Sequence, residues 1–150
     1  MASSSTAAYL QVPVAEGKRD KRGLERHLPA ALRFAARHLS ERRRVLVHCA
    51  QGRDRSCAVA IALLVACYDD DGAALRDDRA ARVAAAADDG DLRALVRLDE
   101  ADGKRRLLRA LHRVVAQRPE AAPSRNTLKK LHRFFMSAES PSPRAPALPD

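Results

Sequence analysis

The chain has 150 residues, 46% hydrophobic and 31% charged, enough for one domain with a core and too few for two. Aromatic residues make up 3% with no Trp, which argues against nucleic-acid binding by a row of stacked side chains. The apolar stretch Ala58 to Tyr68 ends at 11 residues, where a bilayer span needs roughly 20, so no membrane partner is expected. The net charge of +9 is unevenly spread: Lys18 to Arg44 hold ten basic and three acidic groups, and Lys104 to Arg118 add six basic ones. Tyr68 to Asp91, by contrast, hold eight Asp against three Arg. Such polarity suits a surface that meets phosphate backbones, but 23 Arg against 5 Lys equally suits a coding bias that raises Arg everywhere. Cys49, Cys57 and Cys67 are odd in number and lie within 19 residues, unlike a disulfide framework. Met1-Ala-Ser-Ser-Ser5 has neither the basic nor the apolar part of a secretory signal, and a cytoplasmic protein is expected.

In chain order, residues 1–8 are expected to be disordered, and the domain to run over 9–137. Tyr9 to Val14 alternates apolar and polar residues and reads as a strand that Pro13, which cannot donate to a ladder, confines to an edge or to its own strand end. After a basic loop, Leu24, Leu28, Ala31, Leu32, Ala35 and Leu39 form the stripe of an amphipathic helix. Pro29 places the regular start of that helix near Leu28. Val45-Leu-Val47 reads as a short buried strand, followed by the polar loop His48 to Ser56. From there to Tyr68 the chain is apolar on every face, as a helix buried all round must be. Ala73 to Leu98 is helical by propensity and weakly amphipathic. Asp102 to Gln117 carries Leu107, Leu108, Leu111, Val114 and Val115 on one face. Pro119 to Pro123 is a linker, Ser124 is the N-cap of a last helix bearing Leu128, Leu131, Phe134 and Phe135, and 138–150 is a Pro/Ser-rich tail expected to be disordered.

The informative segment is strand, His48-Cys-Ala-Gln-Gly-Arg-Asp-Arg-Ser56, then helix. The spacing of Cys49 and Arg55 lets Ala50, Gln51, Gly52, Arg53 and Asp54 curl with their N–H groups inward, and Gly52 permits the curl. Arg55 and Ser56 then stand at a helix N-terminus, where free N–H groups and the dipole favour an anion. Arg55 can fork onto phosphate oxygens. Cys49 sits where the same field lowers its pKa, and Ser56 can hydrogen-bond its sulfur. The phosphate-binding candidates are therefore residues 50–56, with Cys49 as candidate nucleophile and Arg55 as clamp. The bland alternative is a buried Cys and a surface Arg at coincidental spacing. Cys57 and Cys67 read as core residues. His27, His38, His112 and His132 stand singly and form no metal-ligand pairing, so no metal site is expected. Hydrolysis would also need a general acid. The loop after Val14 offers only Glu16 and Asp20 as weak candidates, and the cations around Asp20 favour its ionised form.

The loop resembles the signature of cysteine-dependent tyrosine and dual-specificity phosphatases. That resemblance implies a three-layer α/β domain, with a central sheet and a buried helix after the phosphate loop, and a structural role for His48. A closer resemblance rests on Tyr9-Leu-Gln-Val-Pro-Val14, Gly17-Lys18, Leu24-Glu-Arg-His-Leu-Pro29, the Cys49 to Ser56 loop, Tyr68-Asp-Asp-Asp-Gly72, Pro123-Ser-Arg-Asn-Thr-Leu128 and Phe134-Phe-Met136. This series is similar to the C-terminal dual-specificity-phosphatase-like domain of the initiator tRNA phosphoribosyltransferases, over about Tyr9 to Ser137. It implies transfer of ribosyl phosphate from phosphoribosyl pyrophosphate, the donor substrate, to a 2′-OH of initiator methionine tRNA. It also implies an N-terminal transferase domain as partner, which these 150 residues do not contain, and no cofactor in this domain. Many members of that family lack the loop His and Arg that this chain keeps as His48 and Arg55.

Three functions stay open: the phosphate-binding or tRNA-binding part of that transferase, a small cysteine-dependent phosphatase, and a silent phosphate-binding module. The closing Pro-Ser-Arg-Asn-Thr motif and the basic surfaces favour the first, and the intact nine-residue loop favours the second. The lack of a convincing acid keeps the third.

Overall fold

A computed structural model describes residues 6–14 and 20–137. Its elements are α1 (Gly23–Ser40), α2 (Arg55–Cys67), α3 (Asp77–Ala84), α4 (Asp89–Val96), α5 (Glu100–Gln117) and α6 (Arg125–Met136). The expected tail over 138–150 and residues 1–5 of the expected N-terminal segment lie outside the described residues.

The apolar α2 is the centre of the bundle, packed against α1, α3, α5 and α6. Ile61, Ala62, Val65 and Ala66 are buried, as a helix without a polar face requires. Leu28 and Leu32 cover it from α1, Leu107 and Ala110 from α5, and Leu131, Phe134 and Phe135 from α6. Phe134 and Phe135 meet edge to face at 5.0 Å. The C-terminal end of α2 is closed by Arg106, itself 4% exposed, whose Nη2 donates to the Val65 carbonyl at 2.8 Å. A guanidinium there satisfies an orphan carbonyl and meets the negative end of the helix dipole. No described helix is long and apolar enough to cross a membrane.

The structure corrects the expected three-layer α/β architecture: the described residues are helical and contain no sheet. One isolated bridge, Tyr68 with Leu75, closes the Asp69–Gly72 turn. Val45 and Val47 are half-buried, but Leu46 between them is 86% exposed, so the segment is no buried strand. The alternation that suggested strands is real, since Val12 and Val14 are half-buried and Gln11 and Pro13 exposed. What is missing is hydrogen-bonded pairing. The two segments line one cavity without forming a ladder, and two such short strands alone make a marginal sheet.

Two helix boundaries also differ from expectation. α1 starts at Gly23, so Pro29 lies inside it rather than in its first turn. A proline there removes one N–H and strands the carbonyl four residues earlier. That carbonyl belongs to Glu25, and Arg93 Nη2 donates to it at 3.0 Å. The stretch Ala73 to Leu98 is two short helices, because Asp88 accepts from Asp91 N–H at 2.8 Å and starts α4 afresh. α5 begins at Glu100 behind the cap Asp99, and Ser124 caps α6 through Thr127 N–H at 3.1 Å.

Candidate phosphate site

The loop between Val47 and α2 folds back on Cys49. Gly52 adopts φ +67°, a left-handed conformation that side chains disfavour. Its N–H thereby points at Cys49 Sγ, 3.2 Å away. The Cys49 S–H donates to Ser56 Oγ, also at 3.2 Å, and the serine O–H donates back once the sulfur is ionised. Burial pushes the Cys49 thiol up. The Ser56 hydroxyl and the backbone N–H groups of Ser56, Gly52 and Gln51 outweigh it and bring the thiol down to about 7. The other two cysteines go the opposite way: burial raises Cys57, and it pushes Cys67 up to about 11.

Arg55 opens α2, and its Nη1 donates to the Val14 carbonyl at 3.1 Å, tying the loop to the first extended segment. The leading stabilisers of the Cys49 sulfur are neutral donors, the Ser56 hydroxyl first. His48 is exposed, its ring 6.5 Å from that of Tyr9. Cys49, Arg55 and Ser56 stand with Tyr9, Val14 and Phe34 around a cavity of about 930 Å³. The ends of the loop, Cys49, Ala50, Arg55 and Ser56, thus line the cavity, while the Gly52 N–H and Ser56 hydroxyl meet the sulfur.

The back of the loop is held by the segment after α5, and no local motif announces this. Arg118 Nε donates to the Gly52 carbonyl at 3.2 Å, and Ala122 N–H donates to the Arg53 carbonyl at 2.9 Å. Ser124 N–H donates to Asp54 Oδ1 at 2.8 Å. Asp54 thus directs its carboxylate to the far side of the loop. The one sequence signal for these contacts is Pro123-Ser124 ahead of an apolar helix, which announces the cap but not its second partner.

Asp20 is positioned for structure. Its carboxylate accepts from Arg22 N–H at 3.1 Å and pairs with Arg26. The Arg22 N–H first, helped by the Arg26 charge against a small burial penalty, holds it below the usual carboxylate range. It is ionised at neutral pH and has no proton to give. Glu16 lies outside the described residues. Among the described residues no group of His, Cys, Asp or Glu is placed to hold a metal ion.

A family model described as the Rit1 DUSP-like domain, of the initiator tRNA phosphoribosyltransferases, matches residues 8–135. The chain belongs to that family. The matched span takes in both extended segments, the Cys49 loop and nearly all of α6. The family is one of transferases that modify initiator tRNA. Comparison with curated proteins and with solved structures gives no match.

Proposed function

We propose that this domain is the phosphate-holding, tRNA-binding part of an initiator tRNA phosphoribosyltransferase. That enzyme attaches ribosyl phosphate from phosphoribosyl pyrophosphate to a 2′-OH of initiator methionine tRNA, and it works in the cytoplasm. The reading is carried by the Cys49–Ser56 loop, whose N–H groups and hydroxyl converge on one point at the start of α2. An arrangement that draws the thiol down to about 7 is one that stabilises an anion. A phosphate bound there accepts from the loop N–H groups, and Arg55, on the first residue of α2, supplies the charge. Of the two phosphates that such a reaction offers, the pyrophosphate of the donor and a backbone phosphate of tRNA, we assign the loop to the second. Lys18 to Arg44 and Lys104 to Arg118 supply sequence-independent attraction for the rest of the RNA. The N-terminal transferase domain of the family is the expected partner for the transfer itself.

A second reading, a cysteine-dependent phosphatase, is favoured by the same lowered thiol. In that reaction Cys49 thiolate attacks phosphorus, the P–O bond to the leaving group breaks, and the leaving oxygen needs a proton. Asp20 is ionised and cannot supply it, which supports binding over turnover.

The experiment measures initiator tRNA affinity for wild type, Arg55→Ala and Cys49→Ser. Binding weakened about tenfold by Arg55→Ala, the loss of a charge-assisted pair, with Cys49→Ser nearly unchanged, supports the reading. Equal affinity for all three refutes it.

A further inference from the structure

Asp54 stands at the N-cap position of α2, where an Asp side chain ordinarily folds over to accept the helix's own N–H groups. It makes no such bond. Its Oδ1 is held instead by Ser124 N–H at 2.8 Å, on a segment 70 residues away. The difference matters because the N–H groups an Asp54 cap would take are those at the start of α2, beside Cys49. A carboxylate folded onto them would occupy the anion site and place a second negative charge against any phosphate there.

We infer that Ser124 is a positioning residue whose backbone N–H holds the Asp54 carboxylate off the start of α2, keeping the phosphate site open. This rests on the loop's being a phosphate site. It also gives the Pro123-Ser124 stretch a second function: the Ser124 side chain starts α6 while its N–H restrains the loop. The neighbouring bonds act in the same sense, with Arg118 on the Gly52 carbonyl and Ala122 on the Arg53 carbonyl. Three consecutive loop residues are therefore fixed from behind by residues 118–124.

The test removes the N–H and nothing else that faces the loop. Ser124 has φ −67°, the value proline imposes, so Ser124→Pro fits the backbone while deleting the donor. It also deletes the α6 cap, which Ser124→Ala deletes alone. Each variant is alkylated at Cys49 with iodoacetamide, and the inorganic phosphate concentration that halves the rate is measured. The expected result is that Ser124→Pro needs at least about fivefold more phosphate, because a competing internal carboxylate must be displaced, while Ser124→Ala stays close to wild type. Adding Asp54→Asn to Ser124→Pro restores the wild-type value, and Asp54→Asn alone binds at least as tightly as wild type.

Ser124→Pro protected like wild type, or a double variant that does not recover, overturns the proposal. Should Ser124→Pro fail to show helical circular dichroism, Asp54→Asn alone decides, and a loss of about tenfold there overturns it. Wild-type Cys49 unprotected by phosphate would refute the phosphate reading itself. The pH profile of alkylation then tests the restraint separately, because a freed carboxylate moves the midpoint up in Ser124→Pro and Asp54→Asn removes that shift.

Discussion

Glu25, 1% exposed, accepts two hydrogen bonds from the Arg133 guanidinium, from Nε at 3.0 Å and Nη2 at 2.5 Å. This pair, buried on the Glu25 side and exposed on the Arg133 side, ties α1 to α6 across 108 residues. Arg133→Ala is expected to cost about 2 kcal/mol in urea unfolding. That is below the usual cost of orphaning a buried charge, since Arg133 is itself 43% exposed and Arg22 lies 3.6 Å from the same carboxylate. Glu25→Gln is milder, because the lone Arg133 can turn to water. A loss under about 0.5 kcal/mol in Arg133→Ala would show that the pair only satisfies itself.

Arg93 and Pro29 should be coupled. Arg93 donates to the Glu25 carbonyl that Pro29 leaves without its helical donor, and it lies over the Phe134 ring at 4.7 Å. In Pro29→Ala the residue-29 N–H can take that carbonyl. Arg93→Ala should therefore be less damaging there, with a coupling of about 1 kcal/mol in a double-mutant cycle. Strict additivity would contradict this.

The pattern of that bond explains what the residues announce by themselves. α2 was legible because an apolar helix with no polar face has to be central, and the Ser124 cap because a cap is a local signal. Pro29 was misplaced because a donor 68 residues from Glu25 compensates for it. The sheet failed for a related reason: Tyr9–Val14 and Val45–Val47 carry the alternation of strands, but a strand exists only with a partner, and pairing is not local. At the site, the approach of Gly52 and Ser56 to Cys49 follows from spacing. The contacts of Arg118 and Ser124 do not, because they reach the loop from 66 and 70 residues away.

Cys49 should alkylate with a midpoint near pH 7, and it should react at neutral pH while Cys57 and Cys67 stay thiols. Ser56→Ala is expected to raise the midpoint towards the ordinary value. The lowered thiol also stabilises the fold. Lowering in the folded state makes the contribution full above the unfolded value, near 9, and lost as pH falls through about 7. Equal reactivity of the three cysteines in the folded chain would contradict the loop geometry.

Turnover of phosphate esters should be slow and dependent on the leaving group. With Asp20 ionised and giving no proton, an ester whose leaving oxygen needs none, such as nitrophenyl phosphate, should turn over fastest, and Cys49→Ser should abolish it. Asp20→Asn should leave the rate within about twofold, because Asp20 holds Arg22 and Arg26 rather than a proton. Fast hydrolysis of an alkyl phosphate would favour the phosphatase reading.

The central claim is that the loop holds a phosphate of the RNA, and the salt dependence of initiator tRNA binding tests it most directly. Wild type should lose affinity linearly in log–log form as salt rises. Arg55→Ala should bind more weakly and with a slope smaller by about one phosphate contact. An Arg55→Ala line that lies on the wild-type line, in both affinity and slope, would contradict it.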